Sequence, residues 1–141
     1  MFEEAIRISL APQALIGFGV YILGAMLAMW LFVFFYTRIT PHKEFHLLRE
    51  GNTTAAVALI GSMIGFALPI HNLITYSNSI LDFAIWAVIA MIVQLLMFAM
   101  TGLVLKGLSA RIERDELSAG IFVAGASIAA GLLNSACMVP A

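Results

Sequence analysis

Long uninterrupted apolar runs separated by short polar clusters define this chain. No charged side chain lies between Arg7 and Arg38, between Glu50 and Asp82, between Asp82 and Lys106, or after Glu116. A helix needs about 20 residues to cross a hydrocarbon core roughly 30 Å thick, and each gap is long enough. Lipid offers the backbone no hydrogen bonds, so each crossing must be a helix or part of a closed barrel. The runs are continuously apolar, whereas barrel strands alternate. The pattern predicts an all-α membrane protein with four transmembrane helices, at about Ala14–Tyr36, Thr53–Ile70, Phe83–Leu105 and Leu117–Met138.

Composition agrees. Of 141 residues, 62% are hydrophobic and 11% charged, too few polar groups to cover a soluble domain of this size. The first run does not read as a cleavable signal peptide, because Glu3 and Glu4 stand where a basic region belongs and the apolar stretch is too long. Residues 1–13 form a leader with Phe2, Ala5 and Ile6 on one helical face and Glu3 and Arg7 on another, readable as an interfacial helix or as a frayed terminus. Residues 14–141 form the four-helix membrane domain.

Charge placement orients it. Arg38, Lys43 and Arg49 lie between helices one and two, and Lys106, Arg111 and Arg114 between helices three and four. By the positive-inside rule both connectors, 37–52 and 106–116, are expected in the cytoplasm, with both termini outside. The net charge of −1 gives no reason to expect nucleic acid. The single Cys137 cannot form an intramolecular disulfide and is expected as a buried apolar thiol.

An internal repeat emerges at a displacement of 64 residues. "NTTAAVALIGSMIG" (52–65) falls on "ELSAGIFVAGASIA" (116–129), matching Thr54 to Ser118, Ala55 to Ala119, Gly61 to Gly125 and Ile64 to Ile128. Two copies of helix–connector–helix follow, at about 14–72 and 83–138. Each crosses twice, so both share one orientation, and a pseudo-two-fold axis along the membrane normal is expected. Helices two and four are rich in small residues. Gly61-x-x-x-Gly65 and Gly125-x-x-x-Ala129 are expected to pack these helices into a tight centre.

The segment "ITPHKEFHLL" (39–48) resembles the zinc-protease motif H-E-x-x-H, but the order is His42, Lys43, Glu44, Phe45, His46. On a helix His42 and His46 would share a face with Glu44 roughly 200° away, so the base would point away from the metal. The alternative is a membrane-surface connector. Thr40 would cap a short helix with Pro41 at its first position, and Gly51 would end it before Asn52 or Thr53 starts helix two. A His42–His46 metal half-site completed by another subunit stays open. No catalytic group, cofactor or metal site is otherwise expected.

The motifs "YTRITPHKEFHLLREGNTTAA" with "GSMIGFALP", and "SAGIFVAGASIAAGLLNSACM", resemble the domain-of-unknown-function 350 family, the YjfL-like bacterial inner-membrane proteins. The resemblance implies a multi-pass inner-membrane protein and no established activity.

Polar residues at membrane depth are candidates for function. They are Gln94 in helix three, with Asn72 and Asn134 near the outer ends of helices two and four. Gln94 suits an interhelical hydrogen bond; the asparagines suit end-capping or an outer vestibule. Asp82 is expected to cap helix three, and Arg38 to snorkel to the cytosol. No acidic residue falls mid-span. The chain is therefore expected to be no enzyme but an oligomeric structural or interaction module, whose partners are lipid and either its own copies or another membrane protein. The alternative is an oligomeric conduit for an ion or small solute lined by helices two and four.

Overall fold

The computed structural model describes residues 1–138; Val139, Pro140 and Ala141 of the expected domain lie outside the described residues. Seven helices follow in order: α1 (Phe2–Ser9), α2 (Pro12–Ile39), α3 (Glu44–Arg49), α4 (Thr53–Tyr76), α5 (Ile80–Val104), α6 (Leu108–Glu113) and α7 (Leu117–Ala136). By length and composition four stretches can cross a bilayer: α1 with α2 together, α4, α5 and α7. Their outward surfaces are strongly apolar, with Phe18, Trp30, Leu103 and Leu133 among many exposed large side chains. Water would not tolerate so large an apolar surface, whereas lipid does.

The helix ends follow local chemistry. Asn52 caps α4, its side-chain oxygen accepting from the Ala55 N–H at 2.8 Å. Ser79 caps α5 by accepting from the Asp82 N–H at 3.1 Å, while the Asp82 carboxylate reaches back to the Asn78 N–H. Helix two was expected to end at Ile70, before His71 and Asn72. It continues to Tyr76 because Asn72 donates to the Ser135 carbonyl at 2.6 Å and His71 faces outward. Helix four ends at Ala136 rather than Met138, and Cys137, expected buried, is exposed.

The core is a close seam between α4 and α7. Gly61 lies against Ala124, Gly65 against the Ser127 and Gly131 backbone, and a Cβ added to Gly120 would stand 2.6 Å from the Thr54 carbonyl oxygen. Pro69 sits inside α4. Having no N–H, it leaves the Gly65 carbonyl without its helical partner, and the Cβ-less Gly131 seats on that oxygen. Such close backbone approach replaces the hydrophobic drive that helices lack in lipid.

Helix α5 packs against both α4 and α7, while α2 packs against α4 and α5. Phe32 of α2 stacks on Phe66 of α4 at 4.6 Å between ring centroids, and Tyr36 meets Phe98 of α5 at 4.5 Å. On the outer surface a shallow apolar groove runs between α4 and α7, lined by Ala56, Ile60, Ile64 and Ile128 among others.

Several backbone features recur at the 64-residue displacement. Helices α3 and α6 begin at 44 and 108 and end at 49 and 113, and α4 and α7 begin at 53 and 117. Gly51 (φ 81°) and Asp115 (φ 58°) both take left-handed conformations. Asn52 N–H donates to Leu47 O at 2.9 Å, and Glu116 N–H to Arg111 O at 3.0 Å. The helix contacts do not follow the expected two-fold axis, however. Such an axis would turn the Gly61–Ala124 contact into a second one between Gly125 and Ile60. Instead nothing approaches the Gly125 Cβ position within 4 Å, and Ile60 is 53% exposed.

Candidate functional site: a buried histidine–glutamate couple

Helix α2 runs to Ile39, and Thr40 is extended (φ −82°, ψ 131°), as the ring of a following proline dictates. The chain then needs non-helical residues to turn, and α3 begins only at Glu44, after Lys43 in extended conformation. This corrects the expected helix with Thr40 as cap and Pro41 at its first position. It also parts the two histidines. His42 turns inward, 2% exposed, while His46 stays outside, its Nε2 3.0 Å from Glu50. They cannot share a metal, so the half-site is withdrawn. Among the described residues no three His, Cys, Asp or Glu side chains converge.

Glu44 turns inward as well, at 2% exposure. Its carboxylate is fully buried and meets His42 Nε2. The other ring nitrogen, Nδ1, lies 2.9 Å from the Ser109 hydroxyl of α6. The Ser109 contact leaves Nε2 as the ring nitrogen that faces Glu44, in close approach but without an aligned hydrogen bond. The Tyr36 hydroxyl stands beside Glu44 and Ser62, without an aligned hydrogen bond to either. A lone buried carboxylate would not remain charged. What the arrangement offers is a basic ring set against an acid in a place closed to solvent.

Further buried polar groups continue inward. Ser62 donates to the Ala58 carbonyl at 2.8 Å and lies 3.3 Å from the Ser127 hydroxyl. Gln94 Nε2 donates to the Ser127 carbonyl at 2.8 Å, while its own oxygen is buried without a partner among the described residues. Asn134 donates to the Ala90 carbonyl at 3.3 Å. Neither Asn72 nor Asn134 caps a helix; both tie the main chain of a neighbouring one.

The second connector is tied to the start of α4. The Thr54 N–H and hydroxyl both donate to Asp115 Oδ1, at 2.9 and 2.7 Å. The hydroxyl bond, then the amide bond, hold the Asp115 carboxyl below its usual range. The Asn52 amide donates to the Ile112 carbonyl at 2.9 Å. The hydrogen bond from Arg111 holds the Glu116 carboxyl below its usual range against the opposing effect of desolvation, with Arg114 assisting.

Of the residues singled out for packing or lining, Thr54, Gly61 and Gly65 lie in the seam, and Gln94 reaches it from α5. Ser118, Gly125 and Ala129 face outward instead; Ser118 is 3.2 Å from Arg111 Nη2. The face α7 turns to α4 carries Gly120, Ala124 and Gly131. Arg38 is exposed with its guanidinium 4.8 Å above the Phe34 ring, and Pro41 is exposed. Tyr36, Glu44, Ser109 and Asp115 were missed. One signal was available for Glu44: 64 residues on stands Leu108, an apolar residue at the same helix start.

The family description "Domain of Unknown Function (DUF350)" matches residues 9–138. The chain belongs to the DUF350 family. It is 35% identical over 126 residues to UPF0719 inner membrane protein YjfL of Escherichia coli K12, covering 89% of this chain and 96% of that protein. The same figures hold for the protein of that name from Escherichia coli O157:H7. No solved structure matches the chain significantly. The DUF350 match takes in every helix from α2 to α7 and so includes the His42–Glu44 couple.

Proposed function

We propose that this DUF350 protein is a self-associating, non-enzymatic module of the bacterial inner membrane. In this reading it consists of two parallel copies of helix–connector–helix, following a short interfacial helix α1. The observation that carries it is the closed α4–α7 seam. The small residues that could have lined a path are used in backbone contact at Gly61, Gly65, Gly120 and Gly131. That favours packing over a lumen within one chain.

The shared 64-residue displacement of helix starts, left-handed residues and connector hydrogen bonds supports the duplication. The lack of buried residues in α1, with Glu3 and Glu4 at its start and Arg7 at its end, supports the interfacial role. Six of the seven basic residues lie on the α3 and α6 side, which supports cytoplasmic connectors and outward termini.

A conduit formed between subunits is the second reading. The buried polar line from Glu44 through Tyr36 and Ser62 to Gln94 favours it. Light scattering of the purified protein in nanodiscs, paired with proton and alkali-cation flux in liposomes, tests both. Self-association without flux is the expected result. A dissipated gradient would transfer the assignment to the conduit, and a monomer would remove the module reading.

A further inference from the structure

The contact between the two copies is one-sided. Helix α4 offers Thr54, Gly61 and Gly65, and α7 answers with Gly120, Ala124 and Gly131. Displaced by 64 residues, the first set becomes Ser118, Gly125 and Ala129, all exposed on α7. The second set becomes Ala56, Ile60 and Ala67 on α4, where Ile60 is exposed and both alanines are half-buried. Each helix therefore uses one of two faces, and the face used by its counterpart is left unpartnered. The free α4 face also borders the apolar outer groove, which Ala56 and Ile60 line.

The bulky helices show the same imbalance. Helix α5 lodges against both α4 and α7, and its Gln94 fills the crevice between Gly65 and Ser127. The counterpart of α5 in the first copy is α2, and that of Gln94 is Trp30, which is 64% exposed. Helix α2 buries only Ala28, Phe32 and Tyr36, whereas α5 buries seven residues. What α2 lacks is a preceding copy of α7.

A heterologous contact of this kind does not satisfy itself; it propagates until a ring closes or a filament forms. Resting on the self-association and duplication proposed above, we infer that the α4–α7 contact is repeated between chains. The Ser118–Gly125–Ala129 face of α7 in one chain packs on the Ala56–Ile60–Ala67 face of α4 in a second copy. Trp30 of that second copy lies in the crevice beside it. Displacing the internal Gly61–Ala124 contact by one copy makes the interchain contact Gly125 against Ile60.

Disulfide cross-linking of full-length protein in native membranes tests this, in a Cys137→Ser background. Ile60→Cys and Gly125→Cys, carried on separately tagged chains and co-expressed, are expected to give a covalent dimer on oxidation. Neither variant expressed alone should do so. Both substitutions in one chain should give a ladder of higher species. Gly125→Cys cross-linking to itself would mean a two-fold contact and would overturn the inference, as would the absence of any 60–125 product. Gly125→Leu adds a check, since its Cβ meets open space within one chain. It should shift the assembly to monomer on light scattering while leaving helix content and the melting temperature of the monomer unchanged. An unchanged assembly size would count against the interface. If the wild type is oligomeric but the co-expressed cysteine variants give no 60–125 product, self-association stands and this interface falls. If wild type is monomeric, the earlier reading falls too.

Discussion

The two connectors leave their short helices alike but differ in how they enter them, Lys43 extended and Gly107 left-handed (φ 71°), and in what they bury. Helices α3 and α6 have the same length and are each followed by a left-handed residue two positions beyond their last turn. At the first helical position α6 buries Leu108, 7% exposed, and α3 buries Glu44, 2% exposed. The apolar plug needs no partner. The carboxylate needs His42, which in turn engages Ser109 at the N-terminal end of α6. The second connector thus shows what the fold requires at this place, and the first shows an addition to it. A buried couple replaced by apolar groups is often no less stable, so stability alone does not account for it.

The largest expected effect comes from leaving the carboxylate alone. His42→Ala should lower stability by about 3–5 kcal/mol, as breaking one side of a buried pair does. Adding Glu44→Leu, which copies the α6 arrangement, should recover most of that loss. Thermal melts in detergent of the two single variants and the double variant check this; failure of the double variant to recover would break the equivalence of the connectors. The reverse graft comes next. Leu108→Glu puts a carboxyl where no histidine waits, because Lys106 holds the place of His42 and is exposed. Leaving that group unpaired should cost about 1–3 kcal/mol. Adding Lys106→His should recover little of it, because Gly107 enters α6 left-handed where Lys43 enters α3 extended, and the same melts read the difference.

A smaller effect separates the left-handed residues. Gly51→Ala should cost about 1–2 kcal/mol, the usual penalty for a Cβ in this conformation. Denaturant titration measures it. Asp115 tolerates the same conformation while holding Thr54, so Asp115→Gly should relieve the backbone and lose the tie, with a net change near zero. The smallest effect is one of pH. Because the folded Asp115 carboxyl is held below its ordinary value of 3.8, its bond to Thr54 contributes fully above that value. The contribution is lost as pH falls through the lower folded value. Hydrogen exchange at the Thr54 amide should accelerate only in that acid range, and Asp115→Asn should abolish the dependence.

Much of the architecture was legible in the apolar runs, because a membrane span is a matter of length and missing charge. Asn52 and Gly51 followed similarly local rules, whereas the cap of α5 is Ser79, with the expected Asp82 reaching back from the third helical position. The inward turn of Glu44 was not legible, since it depends on where α3 begins. Local signals at Thr40 and Pro41 favoured a helix start three residues early, and the reversal of the chain after a long α2 overrode them. The seam was half legible. Gly61 and Gly65 have the spacing of close packing, and so do Gly125 and Ala129, but spacing does not say which side of α7 meets α4. That choice rests on Gly120, Ala124 and Gly131, whose neighbours come from far along the chain.

Pro69 and Gly131 together act as a register pin. The carbonyl that Pro69 frees at Gly65 accommodates a residue lacking a side chain and rejects any other. One turn of sliding along α7 in either direction would bring Ser127 or Ser135 onto that oxygen, and each carries a Cβ. Piston-like travel of α7 against α4 is therefore blocked. Of the two remaining long helices, α5 is tied to this pair through Gln94 and Asn134, which leaves α2 as the one least fastened to it.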